Sequence, residues 1–204
     1  MPEREATRNW RTDETSVEVS VHLDQREPAR ISTGLPFLDH LLESFARCAR
    51  FSLLVSVSVQ REVDEHHVLE DVAIGVGETL SVALGDRRGI YRYGEAAVTL
   101  DESLAHVALD CSGRGFAVIS LPLVGPTIGT VPTMLIPHFV DSFAIRAGVT
   151  LHATTVGEDD HHMAEATFEA LGVALGRACA IDPDFRGWPV SNMGELLPVA
   201  GSDS

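Results

Sequence analysis

The sequence predicts an α+β protein made of two copies of one ββαβα unit, each a mixed sheet with helices packed on one face. Two aligned pairs of segments indicate the duplication. Residues 40–46 (HLLESFA) align with 138–144 (HFVDSFA) without a gap, and 64–70 (DEHHVLE) align with 159–165 (DDHHMAE). The offsets are 98 and 95 residues, so one three-residue deletion relates them. A chance match at both places is improbable.

Hydrophobic periodicity predicts the elements of the first unit. The segment TSVEVSVHL alternates apolar and polar residues, which is typical of a half-buried strand. Between residues 68 and 84, apolar residues recur at every fourth position, which predicts a long helix that ends near Gly85-Asp86. The predicted order is strand 15–23, strand 29–32, helix 37–47, strand 51–60 and a helix from Asp64.

The second unit repeats this order. It is predicted as strands 104–111 and 115–121, helix 137–147, strand 149–156, and a helix capped by Asp159 or Asp160 that runs to about Cys179. We expect one domain over residues 1–204, with internal repeats at approximately 10–95 and 96–182. Residues 198–204 are small and polar, and we expect a flexible tail there.

Composition excludes several classes of protein. The formal net charge of −15 argues against binding to nucleic acid, whose phosphates would be repelled. No apolar run is long enough for a membrane span, and residues 1–20 lack the apolar core of a signal peptide, so we expect a cytoplasmic protein. Cys48, Cys111 and Cys179 form no CxxC pair, which fits a reducing compartment and, for the last two, buried thiols.

The duplicated HHxxE motif indicates metal chemistry. Residues four apart project from the same face of a helix, so His66 and Glu70 can hold one metal together. His67 is rotated by about 100° and must face another partner. The same reasoning applies to the second copy, with His161, His162 and Glu165.

Two adjacent ligating histidines imply two metals, and the repeat supplies the remaining ligands. His40 and His138 occupy equivalent positions, so each is expected to serve one metal. Three imidazoles and one carboxylate leave octahedral positions open and suit Mn, Fe, Co or Zn better than Ca or Mg. The predicted sets are His66, Glu70, His138 and His162 for one metal, and His67, His161, Glu165 and His40 for the other. His22, His106 and His152 lie in strand patterns and are expected to be structural.

Six stretches of the chain resemble imidazoleglycerol-phosphate dehydratase. They are residues 35–47, 64–80, 85–94, 100–114, 138–153 and 157–178, and the resemblance covers roughly residues 8–195. It implies a fold of the ribosomal protein S5 domain 2-like type and two Mn²⁺ per active site. It also implies a homo-oligomer of about 24 subunits built from trimers, with active sites between subunits. The implied reaction is the dehydration of imidazole glycerol phosphate to imidazole acetol phosphate in histidine biosynthesis.

The resemblance also implies residue roles. Glu14 and Glu165 match the family's acid/base carboxylates, and Asp101 is a weaker candidate. Metal coordination of both ring nitrogens would stabilise an imidazolate and a diazafulvene-like intermediate.

The implied phosphate pocket departs from the family pattern. Arg92, Arg114 and Ser191 match it, but Ser44 and Cys48 replace Gln and His, Arg50 replaces Gly, and the loop reads Ser191-Asn192-Met193-Gly194 rather than Ser-x-Lys-Gly. Losing two donors to a charged group would cost roughly 3–6 kcal/mol of phosphate binding, which Arg50 could offset. The predicted substrate-binding residues are Glu14, Cys48, Arg50, Arg92, Arg114, Ser191, Asn192 and Met193.

Three functions follow from these observations. The first is the family's dehydration of imidazole glycerol phosphate with a divergent pocket. The second is a paralogous dimetal dehydratase that acts on another azole or on a substrate without phosphate. The third is a non-catalytic metal-binding cage, which the intact carboxylates disfavour.

Overall fold

The computed structural model describes residues 3–61 and 64–185. The predicted substrate-binding residues Ser191, Asn192 and Met193 and the predicted tail at 198–204 lie outside these ranges. The α+β class is confirmed, and every predicted strand and helix within the described residues is present.

The first half contains four strands and two helices. They are β1 (Glu5–Arg11), β2 (Thr15–His22), β3 (Arg30–Ser32), α1 (Pro36–Ala49), β4 (Ser52–Val59) and α2 (Glu65–Leu84). The sheet has the order β1-β2-β4-β3, in which β3 is parallel to β4 and the other pairs are antiparallel.

The second half repeats this topology. Its elements are β5 (Tyr93–Leu100), β6 (Ser103–Asp110), β7 (Phe116–Ser120), the short hairpin β8 (Thr127–Ile128) and β9 (Val131–Pro132), α3 (Leu135–Ala147), β10 (Thr150–Val156) and α4 (Asp160–Cys179). The sheet order β5-β6-β10-β7 is equivalent to that of the first half, with β7 parallel to β10.

Sequence reasoning missed the first strand of each half, β1 and β5. Both are edge strands that pair with only one neighbour. The inward positions of β1 are Ala6, Arg8 and Trp10, all only half-buried, so the apolar alternation is too weak to stand out. In β5 the inward Gly94 lies against the backbone of α4, where a Cβ atom would come within 2.0 Å of the Ala174 carbonyl oxygen. Each four-stranded sheet therefore has one strand more than the predicted ββαβα unit, and the second half also contains the unpredicted hairpin β8–β9.

The four helices lie between the two sheets and pair across the halves. α2 packs on the first sheet and α4 on the second, while α1 packs along α4 and α3 packs along α2. The two helices of each pair are parallel, since His40 and Arg47 of α1 contact Glu165 and Glu169 of α4 in the same order. In the described part of the chain, no helix is long and apolar enough to cross a membrane.

A glycine at equivalent positions of the repeat sets the spacing of each helix pair. A Cβ atom on Gly172 would lie 2.5 Å from the Phe45 carbonyl oxygen, and one on Gly77 would lie 2.8 Å from that of Phe143. These contacts are with backbone atoms, which cannot rotate away. The close approach brings the first turns of paired helices together, where all the motif histidines lie.

We expect Gly172→Ala to lower the free energy of unfolding. The substitution gains about 1 kcal/mol of helix propensity, but forcing α1 away from α4 costs about 1–3 kcal/mol. Denaturant titration measures the change. Val82→Ala in α2, where the side chain is 52% exposed, is the control and should change stability by under about 0.5 kcal/mol. A Gly172→Ala protein more stable than the wild type would contradict this account of helix spacing.

Candidate dinuclear metal site

The first cluster of metal-ligating groups lies where α3 meets α2. Nε2 of His66 is 3.5 Å from a carboxylate oxygen of Glu70, and Nε2 of His138 is 3.8 Å from the other. One ligand atom from each of the three residues lies within 4.8 Å of the other two. We call these residues the α2/α3 set.

The second cluster, the α1/α4 set, is its repeat-related counterpart. Nε2 of His40 is 3.0 Å and Nε2 of His161 is 3.5 Å from Oε2 of Glu165. These three residues also fall within the 4.8 Å limit. Each set combines one residue from one half with two from the other, as the sequence predicted.

N-terminal capping places the candidate ligands of each HHxxE motif at the beginning of their helix. Asp64 accepts hydrogen bonds from the backbone N–H of His67, and Asp159 accepts from those of His161 and His162. An aspartate at the N-cap satisfies amides that have no partner within the helix. The HHxxE residues therefore occupy the first turns of α2 and α4, at the open end of the helix layer.

The fourth predicted ligand of each set lies elsewhere in the same chain. His67 and His162 belong to no three-residue cluster among the described residues. Nδ1 of His67 is 2.8 Å from Asp64, and Nδ1 of His162 is 2.8 Å from Glu102. Three of the four predicted ligands of each metal thus converge within one chain, and the fourth does not.

A neighbouring carboxylate orients the imidazole ring of both His67 and His162. A carboxylate that accepts the Nδ1 proton fixes the tautomer in which Nε2 carries a lone pair, an arrangement common around metal-bound histidines. Glu102 also accepts the backbone N–H of Asp159, at 3.0 Å. The hydrogen bond from His162, followed by that from Asp159, holds the pKa of Glu102 well below its usual range, and the bond to Glu102 raises the pKa of His162.

The two three-residue sets fit a cation. Nε2 of His138 is buried and makes no hydrogen bond. It is too far from Glu70 for such a bond, but two ligand atoms each about 2.1 Å from one ion lie about 3–4 Å apart. In the other set, desolvation alone would raise the pKa of Glu165, but the hydrogen bond and charge of His40 and the hydrogen bond from Ser44 lower it. The Glu165 carboxylate is therefore available as an anionic ligand.

A third cluster of similar composition does not fit a cation. Glu3, Glu5 and His22 also lie within 4.8 Å of one another. However, Nδ1 of His22 accepts the backbone N–H of Gln25 at 3.1 Å and that of Asp24 at 3.3 Å. A neutral imidazole that accepts at Nδ1 carries its proton on Nε2, the atom that faces Glu5. His22 therefore lacks the lone pair that a metal would need.

The candidate acid/base residue Glu14 lies beside the first HHxxE motif. It sits in the β1–β2 turn, where Oε2 is 3.9 Å from Nε2 of His67 and Oε1 pairs with Arg61. Asp101, in the equivalent β5–β6 turn, lies 3.9 Å from Nε2 of His162. Nε2 of His67 and Nε2 of His162 thus each have a carboxylate nearby.

The residues predicted to bind phosphate are divided between two places. Arg92 and Arg114 flank the β5–β6 hairpin at the end far from the metal sets. Arg92 forms a two-point ion pair with Asp110, at 2.6 and 2.9 Å, which raises the pKa of the guanidinium. Ser44 and Cys48 instead follow His40 along α1, and Arg50 ends that helix.

Sequence reasoning missed the residues that hold others in place. Glu102 stands directly beside Asp101 in the sequence, but only the fold shows that it meets His162. The ion pairs of Arg47 with Glu169 and of Arg92 with Asp110 were likewise not predicted. These residues match no metal or catalytic spacing, so no local signal marks them.

Two matched His/His/Glu sets that fit a cation define a protein of α+β fold with a candidate dinuclear metal site. A model of the imidazoleglycerol-phosphate dehydratase family matches residues 33–175. The chain belongs to this family.

Full-length relatives agree with the family assignment. Imidazoleglycerol-phosphate dehydratase of Methanosphaerula palustris is 44% identical over 89% of this chain and 94% of its own. That of Methylorubrum extorquens is 43% identical over 95% of this chain and 100% of its own. The crystal structure of the Staphylococcus aureus enzyme matches with a TM-score of 0.78 at 32% identity, covering 87% of this chain and 99% of that one. The duplicated α+β architecture therefore has solved counterparts.

We expect metal content to distinguish the three clusters. His138→Ala removes one nitrogen ligand of the α2/α3 set and should lower bound Mn²⁺ or Zn²⁺ from about two ions per chain to about one. His22→Ala is the matched control and should leave the content unchanged. Elemental analysis after dialysis at fixed free metal gives both values. Loss of an ion in the His22 variant would contradict the tautomer argument.

Proposed function

We propose that this protein is a dimetal hydro-lyase that converts imidazole glycerol phosphate to imidazole acetol phosphate in histidine biosynthesis. The observation that carries the proposal is the pair of matched His/His/Glu sets in a chain of this family. Purified protein supplied with Mn²⁺ should dehydrate that substrate and rescue a histidine auxotroph. Turnover of only a different azole would favour a paralogous dehydratase instead.

The resident cations are proposed to be two Mn²⁺ per active site, held by the α1/α4 and α2/α3 sets together with His67 and His162. When bound, they supply Lewis-acid polarisation of the two ring nitrogens, which acidifies the carbon beside the ring. The chain's own task is to hold the ring between the sets and to place a proton acceptor beside that carbon.

We propose that each active site is shared between two copies of the chain. The rings of His66 and His67 have centroids 5.9 Å apart, so metals on the two residues would be neighbours. His161 and His162 stand in the same relation, at 6.1 Å. If the first-half motif of one copy faces the second-half motif of another, His67 completes the α1/α4 set of its partner. The partner's His162 then completes the α2/α3 set, and every predicted ligand is used once.

This pairing has a consequence for assembly. The first half of one chain meets the second half of the next, so each chain offers two different surfaces to its neighbours. Repeated around a rotation axis, such a head-to-tail contact closes into a ring, of which a trimer is one case. The proposed homo-oligomer of about 24 subunits built from trimers is consistent with this geometry.

The distant arginines support a site built from several copies. The backbone N–H of Arg92 bonds to the carbonyl of Ala178, near the end of α4. His161 lies at the beginning of the same helix, about 25 Å away at 1.5 Å per residue. A three-carbon phosphate on an imidazole ring is much shorter than this. If Arg92 contacts substrate, it therefore does so in the active site of another copy.

Glu14 is proposed as the residue that moves the proton. It lies beside His67, so it enters the neighbouring copy's α1/α4 set together with that ligand. A carboxylate there can take the proton from the carbon beside the ring and return it to the departing hydroxyl, which then leaves as water. Arg61 pairs with Glu14 and orients its carboxylate.

We expect Glu14→Gln to lower kcat by about 10²–10⁴ while both metals stay bound, because the amide keeps the shape of the side chain but cannot accept a proton. Steady-state kinetics and metal content measure the two effects. Asp13→Asn, an exposed neighbour in the same turn, is the control and should keep near-normal kcat. An active Glu14→Gln protein would move the acid/base role to another residue.

We expect two inactive variants to restore each other when mixed. The His162→Ala variant keeps the α2/α3 set but lacks the histidine that would complete the set of a neighbouring copy. The His138→Ala variant lacks a member of the α2/α3 set but keeps His162. In a random 1:1 assembly about a quarter of the interfaces pair an intact set with an intact His162. Activity after joint unfolding and reassembly should approach that fraction of wild type. Mixing His162→Ala with His66→Ala should restore activity in the same way.

The matched control is a mixture of His138→Ala with His66→Ala. Both lack a ligand of the same three-residue set, so no interface is complete and activity should stay at the level of either variant alone. If the first mixture also stayed inactive while assembling normally, sharing between copies would be wrong.

A further inference from the structure

We infer that a groove at the end of α1 binds a phosphate group through Arg50 and Arg26. The groove, of about 510 Å³, opens where α1 stops at Ala49 and α4 continues to Cys179. Its volume is in the range of small-molecule sites. Among the described residues, four arginines line the groove, and Asp24 is its one acidic residue.

Two of these arginines have their charge compensated or their donors in use. Arg4 forms a two-point ion pair with Asp24 and donates to the Cys179 carbonyl at 2.6 Å. Arg177 donates to the carbonyl of Glu95 at 2.6 Å. Among the described residues neither Arg26 nor Arg50 makes an ion pair. On a chain of net charge −15, this groove is a local positive region that would attract an anion.

The backbone conformation of Arg50 favours a functional role for its side chain. Arg50 caps α1 with φ 61° and ψ 34°, in the left-handed region. Glycine takes this conformation freely, whereas a residue with a Cβ atom bears a steric cost. Strained backbone of this kind is found preferentially where a side chain is needed for binding or catalysis. The guanidinium is exposed. Arg50 also lines a second groove, whose other charged residues are Arg26, Arg47, Glu27 and Glu43.

The groove and the α1/α4 metal set lie at opposite ends of α1. Along α1, Ser44, Cys48 and Arg50 follow His40 at about 6, 12 and 15 Å. Burial, and then the charge of Glu169, raise the pKa of the Cys48 thiol, so that this residue contributes no charge. The long side chain of Arg50 can reach back along α1 over part of the distance to His40, towards the tail of a ring held there. This placement of the substrate's phosphate rests on the proposed function, whereas binding of free phosphate in the same groove does not.

The test compares three variants with the wild-type metal-loaded protein. Arg50→Gly removes the guanidinium and leaves a residue that accepts the left-handed turn, so it should be at least as stable as wild type. Arg26→Ala removes the second donor. Arg30→Ala is the control, because Arg30 is also exposed but lies on β3 outside the groove. Titration calorimetry with inorganic phosphate and steady-state kinetics with imidazole glycerol phosphate supply the measurements.

We expect Arg50→Gly to weaken phosphate binding roughly 10- to 100-fold, with a smaller loss in Arg26→Ala and none in Arg30→Ala. A parallel rise in KM with little change in kcat assigns the groove to the substrate's phosphate. Weakened phosphate binding with an unchanged KM, or in a protein that turns over no substrate, assigns it to free phosphate. Wild-type affinity for phosphate in both groove variants, or no phosphate binding by the wild type, would overturn the inference.

Discussion

The close parallel packing of α1 on α4 and of α3 on α2 is the constraint on which the metal sets depend. Each HHxxE helix supplies only a histidine and a glutamate to its own metal, because the second histidine points away. The third ligand must come from a helix of the other half of the chain. It arrives because Gly172 and Gly77 let the helix backbones approach without an intervening side chain. The contacts that pack the helices in the core therefore also bring the metal-ligating side chains together.

The duplication repeats this arrangement in both halves of the chain. Two equivalent helix pairs give two equivalent sets of candidate ligands, and one histidine of each HHxxE motif, His67 or His162, lies outside them. Asp64 and Glu102 hold these outward histidines through Nδ1, although they reach them from different elements. Asp64 is the N-cap of the same helix, whereas Glu102 comes from a hairpin turn of the second sheet. The two halves have thus reached the same ligand geometry by different supporting contacts.

The C-terminal end of α1, beyond the metal sets, depends on different structural features. The end of the helix layer that holds the metal sets depends on residues fixed by helix periodicity and capping. The opposite end depends on where α1 stops and on which charges collect there. Cys48 offers no charge, and Arg50 brings one at a turn where glycine would be the easier residue. A change of donor at this end leaves the metal ligands untouched, because two turns of helix separate them.

The sequence by itself predicted the fold class, the repeat and the six residues that gather in the two sets. Helix spacing at HHxxE and the register of the repeat are local properties, and local spacing decides which side chains share a face. It could not determine the strands β1 and β5, whose weak alternation reflects their edge positions. Nor could it show that Glu102 holds His162, that Asp110 neutralises Arg92, or that His22 has its ring nitrogen occupied. Those contacts join residues far apart in the chain, so only the tertiary structure decided which carboxylate meets which histidine and which histidines stay free to bind a metal.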